Sequence, residues 1–157
     1  MGKIVSAKKT KNLSAKLKKT GKKIVLAGGC FDILHVGHIK FLQNSKKSGD
    51  ILVLLLESDE SIKKLKGENR PVNNQKNRAL ILSSVEFVDY VIPLEKNYKD
   101  ENYSDLVSKL KPDVIAVTKG DPNESKKKLQ AKSVGGKLKV VLKNLPDHST
   151  TKLLEYF

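Results

Sequence analysis

Two histidines, His35 and His38, follow two adjacent glycines, Gly28 and Gly29, within the stretch GGCFDILHVGHIK. On the first turn of a helix, an i, i+3 spacing puts both imidazoles on one face. Gly37 between them removes a side chain where a bulky ligand would have to fit, and the free N–H groups of a helix start attract anions. Three readings are open on these residues. The pair could ligate a metal, although the third histidine, His148, lies more than a hundred residues away and no further cysteine is available. Both rings could be satisfied structural residues. Or both donate hydrogen bonds to a phosphate at the helix N-terminus. A second concentration of chemistry lies downstream. Of 31 basic residues only two are arginine, Arg70 and Arg78, and they stand in one segment. Guanidinium matches phosphate in a bidentate way that ammonium cannot.

The elements that must position these groups alternate between strand and helix. Lys23 to Gly28 reads as a buried strand ending in glycine. Val36 to Ser48 reads as a helix stopped by Gly49. Ile51 to Leu56 is the longest apolar run, as a central parallel strand should be. Residues 57–69 read as a polar loop with one helical turn near Ser61 to Leu65. A helix over Asn74 to Val85, a strand over Phe87 to Ile92 and a helix over Tyr103 to Leu110 follow. Then come a strand over Asp113 to Val117, a helix over Asn123 to Val134, a strand over Leu138 to Leu142 and a last helix over Ser149 to Glu155, whose first residue suits an N-cap. Five strands separated by helices predict a single-domain, three-layer α/β/α Rossmann-like fold with a five-stranded parallel sheet. In such sheets ligands bind beyond the carboxyl ends of the strands, where the loops 28–35, 57–69, 118–122 and 143–149 all fall.

Composition narrows the function classes. Cys30 is the single cysteine, which excludes an internal disulfide framework. The longest apolar run is far too short to span a bilayer, and no signal-peptide pattern follows the lysine-rich start, so the reading is a soluble, cytoplasmic protein. The net charge is +14, and residues 1–23 hold nine lysines and no acid. Residues 1–20 therefore read as a basic arm: a solvated tail with one lysine-coated helix, Leu13 to Lys19. With no tryptophan and four each of phenylalanine and tyrosine, base-stacking platforms are scarce and a nucleic-acid partner is not favoured.

The stretch GGCFDILHVGH resembles the signature of the cytidylyltransferase-like nucleotidyltransferases. KGENRPV at 66–72, NNQKNRALILSSVEFVDYVI from Asn73, KPDVIAVTKGD at 111–121 and STTKLLEYF at the end resemble later motifs of that family. The similarity spans about residues 21–157, taken as the nucleotidyltransferase domain, and its nearest flavour is the heptose-phosphate adenylyltransferase domain. The resemblance implies transfer of AMP or CMP from a nucleoside triphosphate to a phosphorylated sugar or polyol, with pyrophosphate released and Mg2+ bridging the triphosphate. It implies catalytic roles for His35, His38, Lys66 and Arg78. It places the nucleotide against Gly28, Gly29, Cys30, Phe31, His35, His38, Gly120, Asp121, Ser149, Thr150 and Thr151, and the acceptor phosphate against Lys66 and Arg70. No protein metal ligand is implied, and a homodimer rests on family analogy alone. Glycerol-phosphate cytidylyltransferases carry an arginine shortly before the last motif; here that segment has Lys143 and no arginine, which argues against CTP. Pro122 follows Asp121 where the family commonly has an aromatic. A non-catalytic nucleotide- or RNA-binding protein that uses the basic arm is the competing class.

Overall fold

A computed structural model describes residues 1–143 and 150–155. Its centre is a parallel sheet of six strands in the order β1-β4-β3-β2-β5-β6, where β1 is Lys3–Ile4, β2 Ile24–Gly29, β3 Ile51–Leu56, β4 Tyr90–Pro93, β5 Val114–Thr118 and β6 Lys137–Leu142. Every pairing is parallel. The helices are α1 Thr10–Lys18, α2 Val36–Lys46, α3 Asp59–Lys66, α4 Gln75–Ser83, α5 Asp100–Leu110, α6 Glu124–Ser133 and α7 Thr150–Leu154.

All six residues of β3 are buried, because the strand lies inside the sheet with both faces covered. Alternate residues feed two cores. Val53 and Leu55 meet Leu13, Leu17, Leu106, Leu110 and Ala131 from α1, α5 and α6. Leu52, Leu54 and Leu56 meet Phe41, Leu42, Ala79 and Leu82 from α2 and α4. These are the three layers that the strand–helix alternation predicts.

Two expectations are corrected. The sheet has six strands rather than five, because Lys3 and Ile4 pair with Tyr90 and Val91. Two residues are too few to show an alternation in sequence, and the strand exists only because the edge of β4 accepts it. The basic arm is likewise part of the body. Leu13 and Leu17, one turn apart on α1, are buried in the core, and the Ser14 hydroxyl donates to the Leu110 carbonyl at 2.7 Å. The lysines of this segment coat the outside of a packed helix. A third difference is local: residues 59–66 form a full helix, capped by the Ser58 hydroxyl and ended at Gly67 with φ 102°. Only Ile62 of that helix is buried, so its apolar signal is faint.

Strand order reverses between β2, whose successor β3 lies on one side, and β5 on the other. The loop after β2 and the loop after β5 therefore emerge side by side at the carboxyl edge, the usual place for a ligand crevice in an open parallel sheet.

Candidate active site

The loop from Gly29 to His35 turns the chain from β2 into α2. Phe31 adopts a left-handed backbone (φ 45°), uncommon for a bulky residue, and its ring is buried 5.3 Å from that of His38. A Cβ at Gly29 would sit 3.0 Å from the Phe31 ring, tighter than ordinary contact, so a side chain there would force that ring to give way. His35 is the N-cap of α2: its Nδ1 accepts from the Gly37 N–H at 3.1 Å. That bond leaves the proton of a neutral His35 on Nε2.

The two imidazoles stack, with centroids 3.9 Å apart and planes at 30°. Burial, the neighbouring His35 and the Lys66 ammonium together lower the His38 pKa to about 4; the Ile33 backbone pulls weakly the other way. His38 is therefore neutral at pH 7 and carries one N–H to donate. Its Nδ1 is buried without a hydrogen bond of ordinary geometry. Lys66, at the C-terminal end of α3, is exposed and makes no ion pair among the described residues. It also acts on Cys30, where burial raises the thiol pKa and outweighs the lysine. Cys30 is thus a neutral thiol, and what it offers a ligand is backbone.

Behind the loop stands a polar scaffold. Asp32 is buried and accepts from Arg70 Nε at 2.6 Å, Val72 N–H at 2.8 Å and Asn73 N–H at 3.1 Å. One carboxylate thus ties the segment after Lys66 to the loop after Gly29. Arg78 is 1% exposed. Its guanidinium donates to the carbonyls of Asn73 (2.9 Å), Cys30 (2.6 Å) and Glu57 (2.9 Å) and to the Asp59 carboxylate (2.7 Å). Sequence reasoning puts Arg78 against phosphate. The structure puts it beneath the site, where it joins the ends of β2, β3 and α4. Arg70 is also buried, and its Nη2 has no partner.

Gly120, at φ 79°, turns the chain after β5. The Asp121 carboxylate is committed to the Asn123 N–H (2.8 Å) and to Lys127 Nζ (2.7 Å), so it shapes the start of α6. Thr150 and Thr151 lie on α7, with Thr151 exposed. Ser149 falls outside the described residues. The structure therefore gathers His35, His38, Cys30, Phe31 and Lys66 into one neighbourhood and sets Gly28 and Gly29 beneath it. Asp59, the partly exposed carboxylate partner of Arg78, leaves no mark in the sequence beyond its place in the first turn of α3.

A matching family model decides the family: the cytidylyltransferase-like model covers residues 26–155. The chain belongs to the cytidylyltransferase-like nucleotidyltransferases. Among these nucleotidyltransferases, the bifunctional protein HldE of Aliarcobacter butzleri is 46% identical over 143 residues, 91% of this chain and 28% of that protein. The HldE of Haemophilus influenzae is 39% identical over 155 residues, 97% of this chain and 31% of that protein. The chain thus spans under a third of the length of these relatives. A crystal structure of the lipopolysaccharide core biosynthesis protein from Thermoplasma volcanium superposes with a TM-score of 0.63 at 29% identity, covering 80% of this chain and 98% of that one. A pantoate-beta-alanine ligase from Francisella tularensis shares the fold, with a TM-score of 0.64 at 17% identity over 94% of this chain and 69% of that one. Among the described residues no helix is long and apolar enough to cross a membrane.

The depressed pKa of His38 has a consequence for stability. A histidine neutral in the fold and titrating near 6.5 when unfolded makes the unfolded state bind more protons between pH 6.5 and about 4. Stability should therefore fall as pH drops through that window, with His38 accounting for up to about 3 kcal/mol. Thermal unfolding of His38→Gln should show a shallower loss between pH 6.5 and 4 than the parent. Parallel slopes would remove His38 as the cause.

Proposed function

We propose that this protein transfers AMP from ATP to a sugar phosphate, with a heptose phosphate as the first acceptor to test, and releases pyrophosphate. The observation that carries the reading is the stacked His35–His38 pair on the first turn of α2, with the Lys66 ammonium close enough to depress the His38 pKa. The resemblance to the heptose-phosphate adenylyltransferase domain and the similarity to HldE proteins support the acceptor class; Lys143, in place of an arginine, supports ATP over CTP.

The chemistry needs no protein base. A phosphomonoester is largely dianionic at neutral pH, since its second pKa is about 6. One of its oxygens attacks the α-phosphorus of ATP. The bond from that phosphorus to the β-phosphate oxygen breaks, and pyrophosphate departs with the electron pair. The protein must hold two mutually repelling polyanions in line and stabilise charge on the α-phosphate. The N–H of His38 and the Nε2–H of His35 supply fixed donors for triphosphate oxygens, beside the N-terminus of α2. A neutral His38 keeps this role throughout the physiological pH range.

Gly28, Gly29, Cys30 and Phe31 bring backbone close to the nucleotide, and Gly120 and Asp121 flank it from the neighbouring loop. Ser149, Thr150 and Thr151 cover its β- and γ-phosphates. Lys66 and Arg70 hold the acceptor phosphate. Mg2+ would supply charge neutralisation to the triphosphate. The described residues contain no group of three or more His, Cys, Asp or Glu suited to caging it, and the site's own cations are Lys66 and Arg70. That donor set fits a metal carried by the nucleotide. The reaction belongs in the cytoplasm, where nucleoside triphosphates are, and a homodimer is the assembly to look for.

Thermal stabilisation ranks the nucleotides. ATP at a hundred times its Kd adds about 2.7 kcal/mol to stability, and CTP at the same concentration should add far less. Equal shifts, or a larger one with CTP, would reverse the donor. Pyrophosphate release with ATP and a heptose phosphate tests the transfer itself. The RNA-binding alternative needs a different probe from deletion of residues 1–20, because that deletion also removes Leu13 and Leu17 from the core. Replacing exposed lysines Lys8, Lys9, Lys11 and Lys16 with alanine leaves the core in place. Transfer should survive this change.

A further inference from the structure

Within the transfer reading above, Glu57 needs its own account. It follows β3 at the carboxyl edge of the sheet. Its N–H donates to the Gly29 carbonyl at 3.2 Å, and its own carbonyl accepts from Arg78 at 2.9 Å. Its carboxylate lies close enough to the loop to raise the Cys30 pKa, against the lowering influence of Lys66. The side chain therefore belongs to the same neighbourhood as the imidazoles and the lysine.

One carboxylate oxygen, Oε1, accepts a short hydrogen bond from the Tyr103 hydroxyl on α5. Tyr103 is itself braced edge-on by Tyr98, with centroids 4.9 Å apart and planes at 89°. Burial and the Glu57 carboxylate push the Tyr103 pKa well above the usual tyrosine range, so the phenol stays protonated as a donor. The second oxygen, Oε2, makes no hydrogen bond to any described residue, and Glu57 is only half-buried, so this oxygen is open to a ligand.

A carboxylate is the wrong group for phosphate. In a site that must bring two polyanions together, a fixed negative charge opposes binding unless it meets hydrogen-bond donors. The donors that a phosphorylated sugar carries are its hydroxyls. A carboxylate held in one orientation accepts a charge-assisted bond from a hydroxyl, among the stronger hydrogen bonds available in water-facing sites. A simple latch between β3 and α5 would be served as well by a neutral amide. We propose that Glu57, oriented by Tyr103, is a specificity-determining residue that accepts a hydrogen bond from a hydroxyl of the acceptor's sugar ring.

The test is a hydroxyl scan by titration calorimetry on the full chain, with a non-hydrolysable ATP analogue present. The probes are mannose 1-phosphate and its 2-, 3-, 4- and 6-deoxy forms. For the parent protein, one deoxy form should bind about 10–100-fold more weakly than mannose 1-phosphate, the usual range for a hydrogen bond to a charged group. In Glu57→Ala that difference should disappear, and in Tyr103→Phe it should shrink while Glu57 remains. A purely structural latch would lower the melting temperature of both variants and leave the deoxy discrimination as it was, which would overturn the proposal. So would failure of the parent to bind any of these probes, or equal binding of them all. Pyrophosphate release with the same sugars is followed in parallel. Its absence, with discrimination intact, would overturn the transfer step and leave the hydroxyl-reading role standing.

Discussion

His38→Ala should lower kcat for pyrophosphate release by about 10²–10³, the usual cost of one preorganised donor to charge developing in a transition state. The loss should fall mainly on kcat, because the developing charge on the α-phosphate is the target. The ground-state triphosphate keeps its other donors: His35, the N-terminus of α2 and the loop backbone. His38→Ala removes no helix cap. His35→Ala removes both a donor and the N-cap bond to Gly37, so it should lower stability as well, by about 1 kcal/mol. Single-turnover kinetics separate the two. If His38→Ala raised the KM for ATP and left kcat untouched, the imidazole would be a ground-state contact only. Because the His38 pKa is near 4, the parent's kcat should also stay level from pH 8 down to about 5 as far as this residue is concerned. The acceptor phosphate, with its second pKa about 6, imposes its own loss in this range, so the ring is followed directly: an NMR titration of the His38 imidazole centred near pH 6.5 would show that it titrates like an exposed histidine.

The largest effect on stability should come from Arg78. Its side chain is fully buried and bonded to three carbonyls and to Asp59. Arg78→Met keeps much of the volume and leaves those acceptors without a donor. Each buried acceptor left without a donor costs about 1–3 kcal/mol, so the three carbonyls together should cost about 3–5 kcal/mol, the partly exposed Asp59 adding little. For a chain of this size that is a fall of roughly 10 °C in Tm. Arg78→Lys should recover little, because an ammonium on a flexible stem cannot span four acceptors set on three segments. Activity should fall in step, since the Cys30 carbonyl, one of the four, belongs to the loop that carries the histidines. Thermal unfolding checks it: a Tm within 2 °C of the parent would show that the guanidinium is not what joins these strands. An intact Tm together with lost turnover would return Arg78 to direct phosphate contact.

Much of the fold is legible along the chain because its signals are local. The run Ile51 to Leu56 marks β3 to the residue. The helix expected over Asn74 to Val85 is α4, with Asn74 itself the N-cap, its side chain accepting from the Asn77 N–H. The spacing of His35 and His38 on a helix start is likewise read without coordinates. Arg78 shows the opposite case. A guanidinium in the right segment reads as a phosphate ligand until its neighbours are known, and its neighbours come from positions 30, 57, 59 and 73.

By itself, then, the sequence determined the alternation of strands and helices, the glycine turn and the paired imidazoles, because caps, turns and periodic burial act over a few neighbouring residues. Tertiary structure alone decided that Lys3 and Ile4 extend the sheet, that α1 belongs to the core, that Arg78 lies under the site and that Tyr103 meets Glu57 from 46 positions away. Each of these depends on a partner distant in the chain. Pairing of that kind is set by which surfaces the packed layers bring together, and no local pattern of residues records it.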